Sequence, residues 1–268
     1  MPIVTLTTDW NNNDHYLGAL KGELLSLLPE LQVIDITHQV QPFSILQAAF
    51  VLKNSYNRFP KGSVHIIGVS SEAGSQSIHL AVLYNGHFFI GANNGIFDLL
   101  FDTKPEMIIK LDSSADSTFA ELSIFAHAAA FLAKGGDINK LGTLTSDIKK
   151  QMPLMATIEK SVINGSVIFI DSYGNAITNI THEIFESVGK GRVFEILVQS
   201  NHYKITRINR FYNDTTEQAE LLAIFNSSGL LEISMFRANV SQLLSLSINS
   251  IVRVKFFDKP QREELKLS

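Results

Sequence analysis

No cysteine occurs anywhere in the chain. Disulfides, thiolate nucleophiles and cysteine-ligated zinc or iron–sulfur centres are thereby excluded, and the absence accords with a reducing compartment. Charge of one sign is equally scarce as a block: 22 Lys and Arg stand against 26 Asp and Glu, scattered along the chain. That leaves no basic footprint for nucleic acid or for an anionic membrane. No stretch reaches 18 uninterrupted apolar residues, and the opening MPIVTLTTDW lacks the basic-then-apolar pattern of a secretory leader, so the chain is expected to be cytoplasmic. Neither Gly-x-Gly-x-x-Gly nor a Walker loop is present, which removes the usual phosphate cradles. Internal repeats and low-complexity segments are missing too. What remains is 268 residues with 45% hydrophobic content, enough for one large domain or two ordinary ones.

The most informative stretch is Ile3 to Gly22. Ile3 to Leu6 is apolar without alternation, as in a strand buried on both faces, and Asp14 followed by Tyr16, Leu17, Leu20, Leu24 and Leu27 reads as a helix with an acidic start. The loop between them, Thr7 to Asn13, is polar. Ligands of open α/β sheets collect where strand ends meet helix starts, so Asp9 and Asp14 are placed to hold hydroxyls or positive charge, and they would repel phosphate. Asp14 can equally be a helix cap. Asp9 has no helix to cap.

Downstream, a second buried strand is expected over Leu31–Ile36, with His38 at its polar exit. A helix over Ile45–Tyr56, the turn Phe59-Pro60-Lys61-Gly62 and a strand over Val64–Val69 follow. This β-α-β-α-β order predicts a mainly parallel sheet. A small polar loop, Ser70 to Ser77, precedes a hairpin of Ile78–Tyr84 and His87–Ile90 closed by Asn85-Gly86. Gly91-Ala92-Asn93-Asn94-Gly95 is a tight turn that would let backbone approach a ligand, and ordinary hairpin chemistry explains it equally well. An alanine-rich helix over Ser123–Lys134 ends at Gly135-Gly136. The texture then changes across a polar connection from Leu144 to Ile158 that contains Pro153, so an α/β domain of residues 1–152 and a β-rich domain of residues 153–268 are expected. Strands of the second, antiparallel and barrel-like domain are expected over Lys160–Asp171, Arg192–Gln199, His202–Ile208, Leu221–Asn226, Leu230–Met235 and Ile251–Phe257. The charged tail from Asp258 to Ser268 is expected to be mobile. Two polar turns, Ile170 to Asn175 and Phe225 to Gly229, suit either turn chemistry or ligand contact.

Taken in order, Thr8-Asp9 with Asp14 and Lys21-Gly22, Ile34-Asp35-Ile36-Thr37-His38 with Pro42-Phe43, Phe59 to His65, and Gly91 to Gly95 resemble a known family. Thr118-Phe119, Ile124-Phe125-Ala126, Asp171 to Asn179 and Asn226-Ser227-Ser228-Gly229 with Leu231-Glu232-Ile233 extend the resemblance over nearly the whole chain. The family is that of the S-adenosylmethionine (SAM)-cleaving enzymes: SAM hydroxide adenosyltransferases with the fluorinating and chlorinating synthases. The resemblance implies an α/β amino-terminal domain, a β carboxy-terminal domain and a homotrimer with sites shared between subunits. It implies a ribose diol on Asp9, the amino acid end of SAM near Asp14, the nucleoside against Phe43, and Asp171, Asn175, Ser227 and Ser228 facing methionine or ribose. It implies no metal and no cofactor beyond SAM itself.

One departure stands out. Where hydroxide-using members hold water with Asp, Arg and His, this chain carries Ser70, Ser77 and Ala120. Glu121, His79 and His127 are nearby substitutes, none at a motif position. Glu121, if ionised, would repel a halide, which disfavours halogenation. Ser228 stands where halogenating members have a base for the substrate carboxylate. Three readings compete: a SAM hydrolase with an altered water site, a SAM or adenosine-binding protein without turnover, and a metal-dependent hydrolase built on Asp9, Asp14, His15 and His38.

Overall fold

The computed structural model describes residues 1–72, 74, 77–112, 118–200, 202–214 and 217–258. The tail expected to be mobile therefore lies almost wholly outside the described residues. The chain divides into two compact units, Met1–Pro153 and the residues from Leu154 onward. Among the described residues no helix is long and apolar enough to cross a membrane.

The first unit is built on a seven-stranded sheet. Its strands are β1 (Ile3–Thr8), β2 (Gln32–Thr37), β3 (Val64–Gly68), β4 (His79–Tyr84), β5 (His87–Ala92), β6 (Met107–Leu111) and β7 (Gly142–Leu144). They lie in the order β2-β1-β3-β5-β4-β6-β7. The pairs from β2 to β5 are parallel, and those from β5 to β7 antiparallel. The sheet is thus mixed where the β-α alternation predicted a mainly parallel one. The reason is local: the Asn85-Gly86 turn, with both residues at positive φ, folds β5 back along β4, β6 then adds antiparallel to β4, and β7 antiparallel to β6.

Helices cover both faces. Leu20 and Leu24 of α1 (Tyr16–Leu27) and the alanines of a later helix, Ala126–Ala133, pack on Val4, Leu6, Val64 and Ile66. Ala48, Ala49 and Leu52 of α2 (Ile45–Lys53), with Ile96 and Phe97 of α3 (Ile96–Leu100), pack on Ile67, Leu80, Val82 and Phe89. The alternation of these strand residues between two cores is the period-two signature of a sheet covered on both sides. β3 is buried throughout, whereas β2, expected to be buried, is the sheet's edge and half exposed. The alanine helix, α4 (Ala126–Ala133), is shorter than expected because one π-helical turn, Glu121–Phe125, precedes it. Such turns recur at functional sites.

A polar line runs through the second core. His65 is fully buried, its Nδ1 lies 2.7 Å from Thr5 Oγ1, and its Nε2 lies 3.2 Å from His87 Nδ1. Burial, with His87 beside it, pushes the His65 imidazole down to about 3. The folded state therefore keeps His65 neutral where the unfolded chain would protonate it. Stability contributed this way is present above the ordinary histidine value of 6.5 and is lost as pH falls toward 3. Urea unfolding at stepped pH is expected to show stability falling by about 1.4 kcal/mol per pH unit from this residue below 6.5, and His65→Gln is expected to remove that share of the slope. An unchanged slope in the variant would assign the acid sensitivity elsewhere.

The second unit is antiparallel. Its strands are β8 (Thr157–Glu159), β9 (Val162–Ile170), β10 (Ala176–Thr181), β11 (Val193–Val198), β12 (Tyr203–Ile205), β13 (Leu221–Phe225), β14 (Leu230–Met235) and β15 (Ile251–Phe257). The path is β12-β11-β15-β9-β10-β14-β13, with β8 on β9. A bridge between Asn209, just past β12, and Ile224 of β13 brings its ends together, so the sheet curls into a nearly closed barrel. Ile163, Val167, Ile180, Ile196, Ile233 and Val254 fill its interior. Of the strands expected from sequence, β14 and β15 have the expected bounds and the others are trimmed, while β8, β10, α5 (His182–Gly189) and α6 (Val240–Leu243) are additional.

Candidate functional site

Each strand of the parallel half delivers its C-terminal end to one edge of the first unit. There β1 gives way to Asp9. The Asp9 amide donates to Gly68 O at 3.4 Å, and its carboxylate Oδ2 accepts the Phe43 N–H at 2.8 Å. Phe43 stands at φ 65, a left-handed conformation that a bulky residue rarely adopts, and its ring is 68% exposed. Asp9 thus fixes the turn that leads through Ser44, the cap of α2, and so sets where the Phe43 ring stands. Gly68 leaves room for a second aromatic, since a Cβ there would lie 2.7 Å from the Trp10 ring. Trp10 packs on Phe119 at 5.3 Å between ring centroids, and Tyr16 on Phe119 at 5.4 Å, giving an aromatic wall.

The loop after β3 closes the other side. Ser70 is left-handed at φ 47, and the Asn94 side-chain amide donates to the carbonyls of Val69 and Ser70 at 3.0 and 2.9 Å. The Gly91-to-Gly95 turn thus supports the loop through Asn94. Beside Ser70, the buried Ser71 donates its hydroxyl to Glu121 Oε1. Glu121 is only 4% exposed. Burial raises its carboxyl to about 7 against the pull of the Ser71 hydrogen bond, with the carboxylates of Asp9 and Glu72 adding to the rise.

These groups line one cleft of about 390 Å³, in which Asp9, Phe43, Ser70 and Glu121, all read from the sequence, meet Trp10, Tyr16, Ser71 and Phe119. Asp14 lies outside it: exposed, with Oδ1 accepting the Tyr16 N–H at 3.3 Å, one residue ahead of the helix cap. Of the three positions that the resemblance matches to water-holding groups, Ser70, Ser77 and Ala120, only Ser70 lines the cleft. Ser77 donates to Glu72 O at 2.8 Å, and Ala120 is buried in the core. His79 is buried against the Phe125 ring, and His127 is solvent-facing near Glu23. His38 is tied up structurally, 2.8 Å from Thr8 Oγ1 and 3.2 Å from Asp35 Oδ1. Partial burial raises the Asp35 carboxyl, but hydrogen bonds from Lys21 and His38 outweigh it and the net shift is downward. Among the described residues no three His, Cys, Asp or Glu gather as metal ligands.

In the second unit, Asp171 and Asn175 belong to one turn. Asp171 Oδ1 accepts the N–H groups of Tyr173 and Asn175, and Oδ2 accepts the Asn175 side chain, each at 2.9 Å. They border a depression of about 630 Å³ with Tyr173, Tyr212, Met235 and Arg237. Ser227 and Ser228 are exposed on the β13–β14 turn and do not line it. Beneath that turn the buried Glu232 accepts hydrogen bonds from Tyr212 and Ser234, both at 2.9 Å, and from Asn226 at 3.1 Å. Burial and the neighbouring Glu232 push the Tyr212 phenol above its ordinary value, so it stays a donor.

Sequence reasoning passed over Ser71, the Trp10–Tyr16–Phe119 wall, Tyr212 and Arg237. Ser71 had a signal, its place in a polar loop following a buried strand. The aromatic wall had no local signal, because Trp10, Tyr16 and Phe119 meet only in the fold, Trp10 lying against Gly68.

The comparisons with known proteins agree over both units. The family model for the SAM hydroxide adenosyltransferase N-terminal domain matches residues 4–142, and that for the C-terminal domain matches residues 165–253. An (R)-S-adenosyl-L-methionine hydrolase of Methanocaldococcus jannaschii is 29% identical over 92% of this chain and 93% of its own. A fluorinase of Actinopolyspora mzabensis is 22% identical over 94% of this chain and 97% of its own. A crystal structure of a conserved Thermotoga maritima protein superposes with a TM-score of 0.85 at 24% identity, over 94% of this chain and 99% of that one. Matched through both domains, the chain belongs to the SAM hydroxide adenosyltransferase family.

Proposed function

We propose that this protein cleaves SAM at ribose C5′ with water, releasing adenosine and L-methionine. The observation that carries the reading is Asp9 at the end of β1: Phe43 N–H engages Oδ2, and among the described residues no donor reaches Oδ1. A carboxylate so held can accept from vicinal hydroxyls, and charge-assisted bonds of this kind are the strong ones. The aromatic wall and Phe43 offer faces to a nucleoside. The acidic lining of Asp9, Glu72 and Glu121 suits a substrate with an ammonium and a sulfonium. Relatives named (R)-S-adenosyl-L-methionine hydrolase, 24–29% identical over most of the chain, support it.

The sulfonium leaves as a neutral thioether and needs no acid. The protein's work is to align water opposite the sulfur and to exclude bulk solvent, for which a walled cleft at a sheet edge is suited. No cofactor enters this scheme. We place the amino acid end of SAM toward Asp14, with Asp171, Asn175, Ser227 and Ser228 of another copy in a homotrimer facing methionine or ribose.

The test is incubation of the full chain with SAM, with and without chloride, following adenosine, 5′-chloroadenosine and methionine by chromatography. Adenosine and methionine in equal amounts, independent of chloride, are expected. A second reading, a SAM-binding protein without turnover, is favoured by Ser70, Ser77 and Ala120 in place of Asp, Arg and His. Calorimetric binding without product on long incubation would establish it.

A further inference from the structure

We infer that Glu121 is the catalytic proton acceptor for the attacking water, positioned by Ser71. The inference rests on the SAM-cleaving reading. In the described cleft two side chains form a buried polar pair: Ser71 on the loop after β3 and Glu121 at the head of the π-helical turn, joined by the Ser71 hydroxyl donating to Oε1. That bond fixes the carboxyl's orientation. Both residues line the same cleft as Asp9, the proposed ribose anchor.

The charged groups facing Glu121 are Asp9 from the end of β1 and Glu72 from the loop after β3, both carboxylates, and among the described residues that line the cleft there is no Lys, Arg or His. From β4, His79 packs on Phe125 of the same π-helical turn. Buried, and beside the carboxylates of Asp9 and Glu72, the carboxyl is a stronger base than an exposed glutamate, and its value near 7 suits proton transfer at neutral pH. Neither the serine at position 70 nor that at 77 could accept a proton at this pH, and Ala120 offers no group at all.

In the step, the Glu121 carboxylate takes a proton from water while the water oxygen bonds to C5′. The C5′–S bond breaks and its electron pair stays on sulfur. Adenosine and neutral-thioether methionine result, and the proton on Glu121 is then lost to solvent, which balances one cationic sulfonium consumed against one proton released.

The experiment compares wild type, Glu121→Gln and Ser71→Ala from pH 5.5 to 8.5, with adenosine release as one readout and calorimetric SAM binding as the other. Wild-type kcat/KM, which reports the unliganded protein, is expected to rise with pH and to level off above about 7. Glu121→Gln keeps an acceptor for Ser71, and is expected to bind SAM while losing about 100-fold or more of its turnover, the residue flat in pH. In Ser71→Ala the hydrogen bond that lowers the Glu121 carboxyl is gone, so the midpoint of the pH profile should move upward. A purely structural serine would lower the rate without moving the midpoint. Adenosine release by Glu121→Gln within a few fold of wild type, at unchanged binding, overturns the assignment of Glu121 alone. Binding without product by wild type itself overturns the SAM-cleaving reading and this assignment with it.

Discussion

Asp9→Ala is expected to abolish measurable adenosine release, and Asp9→Asn to weaken SAM binding by roughly 30- to 1000-fold. The difference between the two follows from what the carboxylate does. Oδ2 accepts the Phe43 N–H and so supports a left-handed phenylalanine at φ 65. Asn retains an oxygen for that bond. It loses the charge, and with it about 2–4 kcal/mol of charge-assisted hydrogen bonding to a diol. Ala loses both, leaving the Phe43 amide without its acceptor and the turn into α2 without its support. Calorimetry on the two variants, with thermal unfolding as a check on folding, reads the difference. Binding near wild type in Asp9→Asn, with a loss confined to Asp9→Ala, would show that Asp9 only braces the turn.

Glu121→Gln is expected to stabilise the fold in mild alkali. The native carboxyl titrates near 7 against a reference of 4.5, so between these values the folded chain binds a proton that the unfolded chain does not. Stability accordingly falls as pH rises through the window, and above 7 the whole cost is present, about 3 kcal/mol for a shift of that size. A glutamine in the same place never ionises and keeps Ser71 satisfied. The variant should therefore exceed wild type in urea unfolding at pH 8 and approach it at pH 5. A constant difference across that range would mean that Glu121 is not the perturbed group. A gain in stability joined to a loss of turnover is the trade expected where a site is held at the expense of the fold.

The sequence was legible where local chemistry decides structure. Asp9 was read from its place at a strand end, and Phe43, Ser70 and Glu121 through the family resemblance; the structure gathers all four in one cleft because they follow or flank strand ends on one edge. Asn85-Gly86 named its hairpin, yet the consequence, that β5 lies beside β3 and turns half of the sheet antiparallel, is a matter of strand order that no local signal carries. β2 reads as buried because its apolar residues resemble those of β1, and only its position at the edge exposes it. Asp14 could be read as a partner for Asp9 or as a helix cap, and its Oδ1 accepts the Tyr16 N–H at its own helix start. The Glu121–Ser71 pair was hidden for a different reason: 50 residues separate its members, and a serine in a polar loop gives no hint that it will be buried.

The chemistry proposed for this cleft is tested most directly by incubating the full chain with SAM in oxygen-18-labelled water and weighing the products. Attack of water at C5′ places one labelled oxygen in the adenosine 5′-hydroxyl and none in methionine. Free adenine, label elsewhere, or SAM bound and returned intact would contradict the account.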